Sequence, residues 1–154
     1  MIRSSEQLVY SRAAAARIWG IPVEQIRRVE VWPRVVLVIP HRGFGLRPRF
    51  VSKQTFKVHF VEFRREAARN LLVVAQSGAE FTVLNPTNSN QYRVVVGTAS
   101  VKCECEDHKN QIHYLGRGCC KHCYRVLFHL GFQTLKDYVN SKAAERLRIV
   151  LNSG

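Results

Sequence analysis

All five cysteines of this chain fall between positions 103 and 123, and the rest of its 154 residues contain none. A disulfide-stapled scaffold spreads its cysteines so that each bridge closes a loop, and an odd count leaves one thiol over. A local cluster instead requires several sulfurs to converge at one point of the fold, as a thiolate metal site in a reducing compartment does. The cluster therefore sets an expectation of an intracellular setting (cytoplasm, nucleoid or nucleus).

The pattern is Cys103-x-Cys105, fourteen intervening residues, then Cys120-x-His122. Three thiolates and an imidazole form a tetrahedral, borderline-soft donor set that suits one zinc ion. Four protein ligands leave no position for water or substrate, so the predicted role is structural. Residues two apart on an α-helix point to nearly opposite faces. Cys120 and His122 therefore converge only if Cys120 precedes a helix and His122 lies in its first turn, with Gly116 and Gly118 giving a flexible approach. Cys103 is expected to end a strand, with Cys105 turning back from the next loop. The net −1 of such a site suits a helix N-terminus and the nearby Lys102, Lys121 and Arg117. Cys119 is an alternative to Cys120, three residues from His122. Cys123 shares a helix face with Leu127 and Leu130 and reads as a small core residue, against the alternative of a ligand or reactive thiol. His108 and His113 are expected to face solvent from the spacer, with a ligand role as the alternative, His129 to serve a helix end, and His59 to lie at the surface or boundary.

At these residues the chain resembles the SWIM-type zinc finger, whose pattern is Cys-x-Cys, a variable spacer, then Cys-x-His. The resemblance covers residues 81–130: a leading β-hairpin, Asp107 two residues past the second cysteine, and Cys120-Lys121-His122 entering an apolar helix. Glu106 stands where that family often has proline. The resemblance favours Cys120 over Cys119 as ligand, and it implies DNA binding or protein contact, the roles inferred for the motif in chromatin-remodelling ATPases, transposases and bacterial proteins.

The remaining chain reads as α+β. The pattern predicts short N-terminal helices, a β-hairpin, a long helix, then a three-stranded β plus helix zinc-binding module and C-terminal helices. Ser5 is placed as the cap of a helix ended by Gly20, and Pro22 as the start of a second helix to position 28. Strands follow at 29–32 and 35–39. A helix over 52–76 has Phe56, Phe60, Phe63, Ala67, Leu71 and Val74 stepping by three or four. Strands at 81–84, 92–96 and 100–103 lead to a helix at 121–130, and helical stretches at 135–139 and 142–151 close the chain. The domain reading is 1–52 as helical hairpin plus β-hairpin, 53–79 as basic-faced helix, 80–131 as the zinc module and 132–154 as a helical tail, together one compact unit.

Charge points to the partner. With 24 Lys+Arg against 11 Asp+Glu the formal charge is +13, a balance that favours an acidic partner, most often nucleic acid. Eight basic residues and two Glu between positions 41 and 69 give a local +6, so most of the excess lies outside the finger. Two segments could use it. Residues 12–31 fit a helix-turn-helix in part, with Ala16 and Gly20 as contact and turn residues and Arg27 and Arg28 on the second helix; a structural helical hairpin fits the same residues. The loop at 41–49 combines Arg42, Arg47 and Arg49 with Phe44, which suits phosphate contact and base stacking, or simply a solvated hairpin tip. Arg64 and Arg65 on the long helix complete the candidate phosphate contacts.

No Walker loop, nucleophile elbow or His-Glu-x-x-His helix is present, and Asp107 and Asp137 are the only aspartates, so no enzyme is expected. No apolar run approaches the ~20 residues of a membrane span, and the first residues lack the apolar core of a secretory leader. The expectation is a zinc protein that binds nucleic acid, DNA rather than RNA, as a regulatory or accessory factor. The alternative is a protein–protein adaptor that uses the finger for docking.

Overall fold

Two serines split the N-terminal helix in two. The computed structural model describes residues 2–152, without the side chains of residues 143, 144 and 146–151. Within it, Ser4 caps α1 (Ser5–Val9) by accepting the Gln7 amide, and Ser11 caps α2 (Arg12–Trp19) by accepting the Ala14 amide at 3.0 Å. Each side-chain oxygen satisfies an N–H that has no partner inside its helix. The single helix expected there is thus broken at Tyr10, and Gly20, at φ +69°, closes α2 as expected.

The second helix expected after Pro22 is only one 3₁₀ turn, Val23–Gln25. Arg27 and Arg28 lie instead on a strand, β1 (Ile26–Val31). The β-branched run from Ile26 onwards finds antiparallel partners in β2 (Val35–Pro40), and tertiary pairing overrides a marginal local helix. The Arg12 guanidinium fastens this start by donating to the Ile26 carbonyl at 2.7 and 3.0 Å. β3 (Arg49–Ser52), which the sequence did not show as a strand, completes a three-stranded antiparallel sheet in the order β1-β2-β3.

The helix over 52–76 is shorter than its periodicity suggests. α3 (Lys53–Ala68) ends in a tightened turn, with i→i−3 bonds from the amides of Arg69, Asn70 and Leu71. Leu71 and Val74 continue the helical spacing only by coincidence, because the Val-rich β4 (Leu72–Ser77) pairs with β5 (Glu80–Asn85) across a turn at Gly78, φ +60°. The expected three strands thus become a four-stranded antiparallel sheet, β4-β5-β6-β7, with β6 (Asn90–Val96) and β7 (Val101–Cys103). Two helices follow rather than one: α4 (Glu106–Leu115), inside the supposed spacer loop, and α5 (Lys121–His129). The two C-terminal stretches are one helix, α6 (Leu135–Asn152). Among the described residues no helix is long and apolar enough to cross a membrane.

The chain divides into two compact units, Met1–Phe63 and Arg64–Gly154, with the division inside α3. In the first, the small side chains Ala14, Ala15 and Ala16 let α2 approach the sheet, and Phe56 fills the space against Ile26, Val36 and Val38. In the second, Phe81, Val83 and Val94 pack against Val126 and Leu127 of α5, with Ala68, Leu71 and Tyr138 closing the core. The five cysteines border this second core, which fixes where the site sits.

Candidate metal centre

Four local features bring the predicted ligands together. Cys103 is the last residue of β7, and Cys105 is the N-cap of α4, its sulfur accepting the His108 amide at 3.3 Å. Cys120 is the N-cap of α5 and His122 lies in its first turn, the one arrangement in which residues two apart converge. The ligand atoms of Cys103, Cys105, Cys120 and His122 all lie within 4.8 Å of one another. His122 Nδ1 is 3.7 Å from the sulfurs of both Cys103 and Cys120. Tetrahedral bonds of ~2.3 Å to sulfur and ~2.0 Å to nitrogen give edges of about 3.5–3.8 Å, so these separations match the edges of a zinc site.

All four residues are buried, and none of the five cysteines forms a disulfide. The His122 ring stacks on Tyr92 with centroids 4.1 Å apart, and its Nε2 is buried with no hydrogen-bond partner among the described residues. Thiols packed this closely cannot all ionise on their own. Cys103 is pushed up, first by its hydrogen bond to Cys105 and then by Cys120, while Cys105 is drawn down by hydrogen bonds from the same two neighbours. Cys105 also faces the partial positive charge of the α4 N-terminus, which favours its thiolate. A dication at the centre of the four atoms would hold all three sulfurs as thiolates, so the donor set fits zinc.

A polar chain supports the centre. Arg64 donates to both carboxylate oxygens of Asp107, at 2.7 and 2.9 Å, with its own side chain only 15% exposed. Gln111 donates to Asp107 at 3.0 Å, and its Oε1 accepts the Cys119 amide at 2.9 Å. The loop before Cys120 is thereby tied to α4. Gly118 is needed there: a Cβ at this position would lie 2.6 Å from Gln111 Cβ. Gly118→Ala is therefore expected to cost about 1–3 kcal/mol of stability through overpacking and to weaken zinc in a chelator competition; unchanged retention of zinc would contradict it.

Other expectations change. His108 is not solvent-facing but buried on α4, and burial pushes its pKa below the ordinary histidine range. The signal for α4 was present: acidic Glu106 and Asp107 in the first turn, and Gly116 closing it at φ +73°. Cys123 is fully buried against the Val101 carbonyl. His113 is exposed, as is His129, whose ring meets Phe81 edge-on. His59, half-buried, accepts from Arg17 at 3.0 Å.

The candidate phosphate-binding arginines fall in different settings. Arg27 and Arg28 are exposed on β1, Arg28 pairing with Glu30 at 2.9 Å. Arg42 and Arg47 are exposed on the loop joining β2 to β3, and Arg49, at the start of β3, lies 4.8 Å over the Trp19 ring. Arg64 is committed to Asp107, and Arg65 donates to Gln133 at 3.2 Å and flanks Phe128. Sequence reading missed an aromatic pair: Trp32 and Phe50 meet edge-on at 4.9 Å, 43% and 55% exposed. Phe50 pairs with Leu37, on the sheet face opposite the buried Val36 and Val38.

No known protein family, curated protein or solved structure matched the chain.

Proposed function

We propose that this chain is a nucleic-acid-binding protein of SWIM-finger type, braced by structural zinc and acting as a regulatory or accessory factor, with DNA favoured over RNA. What supports the SWIM-type reading is the placement of Cys-x-Cys at a strand end and Cys-x-His at a helix start. Zinc on Cys103, Cys105, Cys120 and His122 would pin β7 to the first turns of α4 and α5. It would supply rigidity and no chemistry.

The observation that carries the binding proposal is the β2–β3 loop. Arg42 and Arg47 are exposed there beside Phe44, which is 50% exposed, with Arg49 at its end. The Met1–Phe63 unit holds eleven Lys/Arg against four Glu, a net +7. Guanidinium groups on this loop would meet phosphates while Phe44, Phe50 and Trp32 offer faces to unpaired bases, the combination that single-strand binders use. Arg64 and Arg65, as the structure places them, would serve the fold before any ligand.

Fluorescence anisotropy with single-stranded DNA, duplex DNA and RNA across a salt series tests the proposal. Single-strand binding is expected to weaken with salt by about 0.7 in log K per log salt for each phosphate contacted. Replacing Arg42, Arg47 and Arg49 together by Gln should reduce that slope by about 2. No binding at low salt, or a slope unchanged in the triple variant, would sink the reading.

A further inference from the structure

We propose that this chain holds a second zinc ion beside the first, bound by His108, Cys123 and a bridging Cys120 thiolate. The inference rests on the reading that the first ion occupies Cys103, Cys105, Cys120 and His122. Two helix starts carry it. Cys105 and His108 are three residues apart at the beginning of α4, and Cys120 and Cys123 are three apart at the beginning of α5. Residues at that spacing lie on one helix face, so at each helix start a cysteine of the first site has one further donor beside it.

The geometry is that of a ligand set. Cys120 and Cys123 sulfurs are 3.6 Å apart, and His108 Nδ1 is 3.7 Å from the Cys123 sulfur. The donor atoms of His108, Cys120 and Cys123 all lie within 4.8 Å of one another, and all three residues are buried. These separations match tetrahedral zinc edges as well as those of the first site do.

A purely apolar role does not account for His108. Its side chain is 96% buried, from a relative exposure of 4%, and its Nε2 has no hydrogen-bond partner among the described residues. Sulfur is the neighbour of Nδ1. His122 of the first site carries the same signature, Nδ1 against cysteine sulfur and Nε2 buried with no hydrogen-bond partner among the described residues. Charge also favours a second ion. One Zn²⁺ with three thiolates carries −1; binding the second releases the Cys123 thiol proton to solvent, and two dications with four thiolates sum to zero. A thiolate retains lone pairs to bridge two ions.

Metal analysis of the reduced protein equilibrated with Zn²⁺, together with ¹¹³Cd NMR after exchange, tests this. Wild type is expected to hold two equivalents and to show two cadmium resonances split by coupling through the Cys120 sulfur. His108→Phe and Cys123→Ala should each hold one. The cadmium spectrum of wild type does not depend on how the variants fold. One equivalent with one resonance in wild type would overturn the second site and leave the first standing, as would two equivalents retained by both variants. No bound metal at all would overturn both.

Discussion

Cys120→Ser is expected to melt the Arg64–Gly154 unit at least ~10 °C below wild type, and chelation of the wild-type protein should do the same. Cys120 is fully buried where the β7 end and the two helix starts converge. Serine replaces the sulfur with a much weaker zinc donor and leaves its neighbouring thiols without a shared cation. Structural zinc contributes an apparent ~10–16 kcal/mol in small domains, against a typical net stability of ~5–15 kcal/mol. Even a quarter of that contribution corresponds to the stated drop at ~4–8 °C per kcal/mol. Differential scanning calorimetry with and without chelator measures it, and a transition that stays in place under both changes would contradict the structural role.

The second large effect lies in the other unit. Phe56→Ala should cost about 3–5 kcal/mol, the range for emptying a buried aromatic site. Phe56 is fully buried, and Tyr10 meets its ring edge-on at 5.5 Å. The buried side chains that α2 gives to this core, Ala14, Ala15 and Ala16, have no length with which to fill the space. Collapse is therefore resisted and most of the cavity term persists. Hydrogen exchange at the amides of Val36 and Val38 gives the measure: faster exchange is expected there, and a loss below about 1 kcal/mol would show that the site relaxes.

Several features were legible in the sequence because short-range chemistry dictates them. Cys120-x-His122 required a helix start between its members, and the structure has one. The β-branched runs around Val29, Val36 and Val94 form strands, and Gly20 closes its helix at a positive φ where glycine is unstrained. What was not legible depended on partners. Ile26 joins a strand because Pro40 is opposite it, and Leu72 because Leu84 is, and neither pairing can be read from local periodicity. Arg49 and Phe50 form a strand only as the edge of β2.

The candidate site shows the same division. Four ligands follow from Cys-x-Cys and Cys-x-His, but His108 looked like a spacer histidine because α4 was not expected. Once the spacer folds into a helix capped by Cys105, position 108 turns inward to Cys123. The spacings Cys105-x-x-His108 and Cys120-x-x-Cys123 were the available signal. The basic surface was legible as charge, yet not as geometry: Asp107 engages Arg64 across 43 residues of sequence, while the β2–β3 loop leaves Arg42 and Arg47 exposed.

Zinc bound by sulfur and imidazole ligands is expected to brace the Arg64–Gly154 unit. Zinc K-edge absorption of the purified protein tests it most directly. A shell dominated by sulfur at ~2.3 Å, with an imidazole nitrogen at ~2.0 Å, is the predicted result, and the sulfur signal should diminish in a Cys103→Ser, Cys105→Ser double variant. A zinc shell of oxygen and nitrogen alone, or a spectrum unchanged in that variant, would contradict the account.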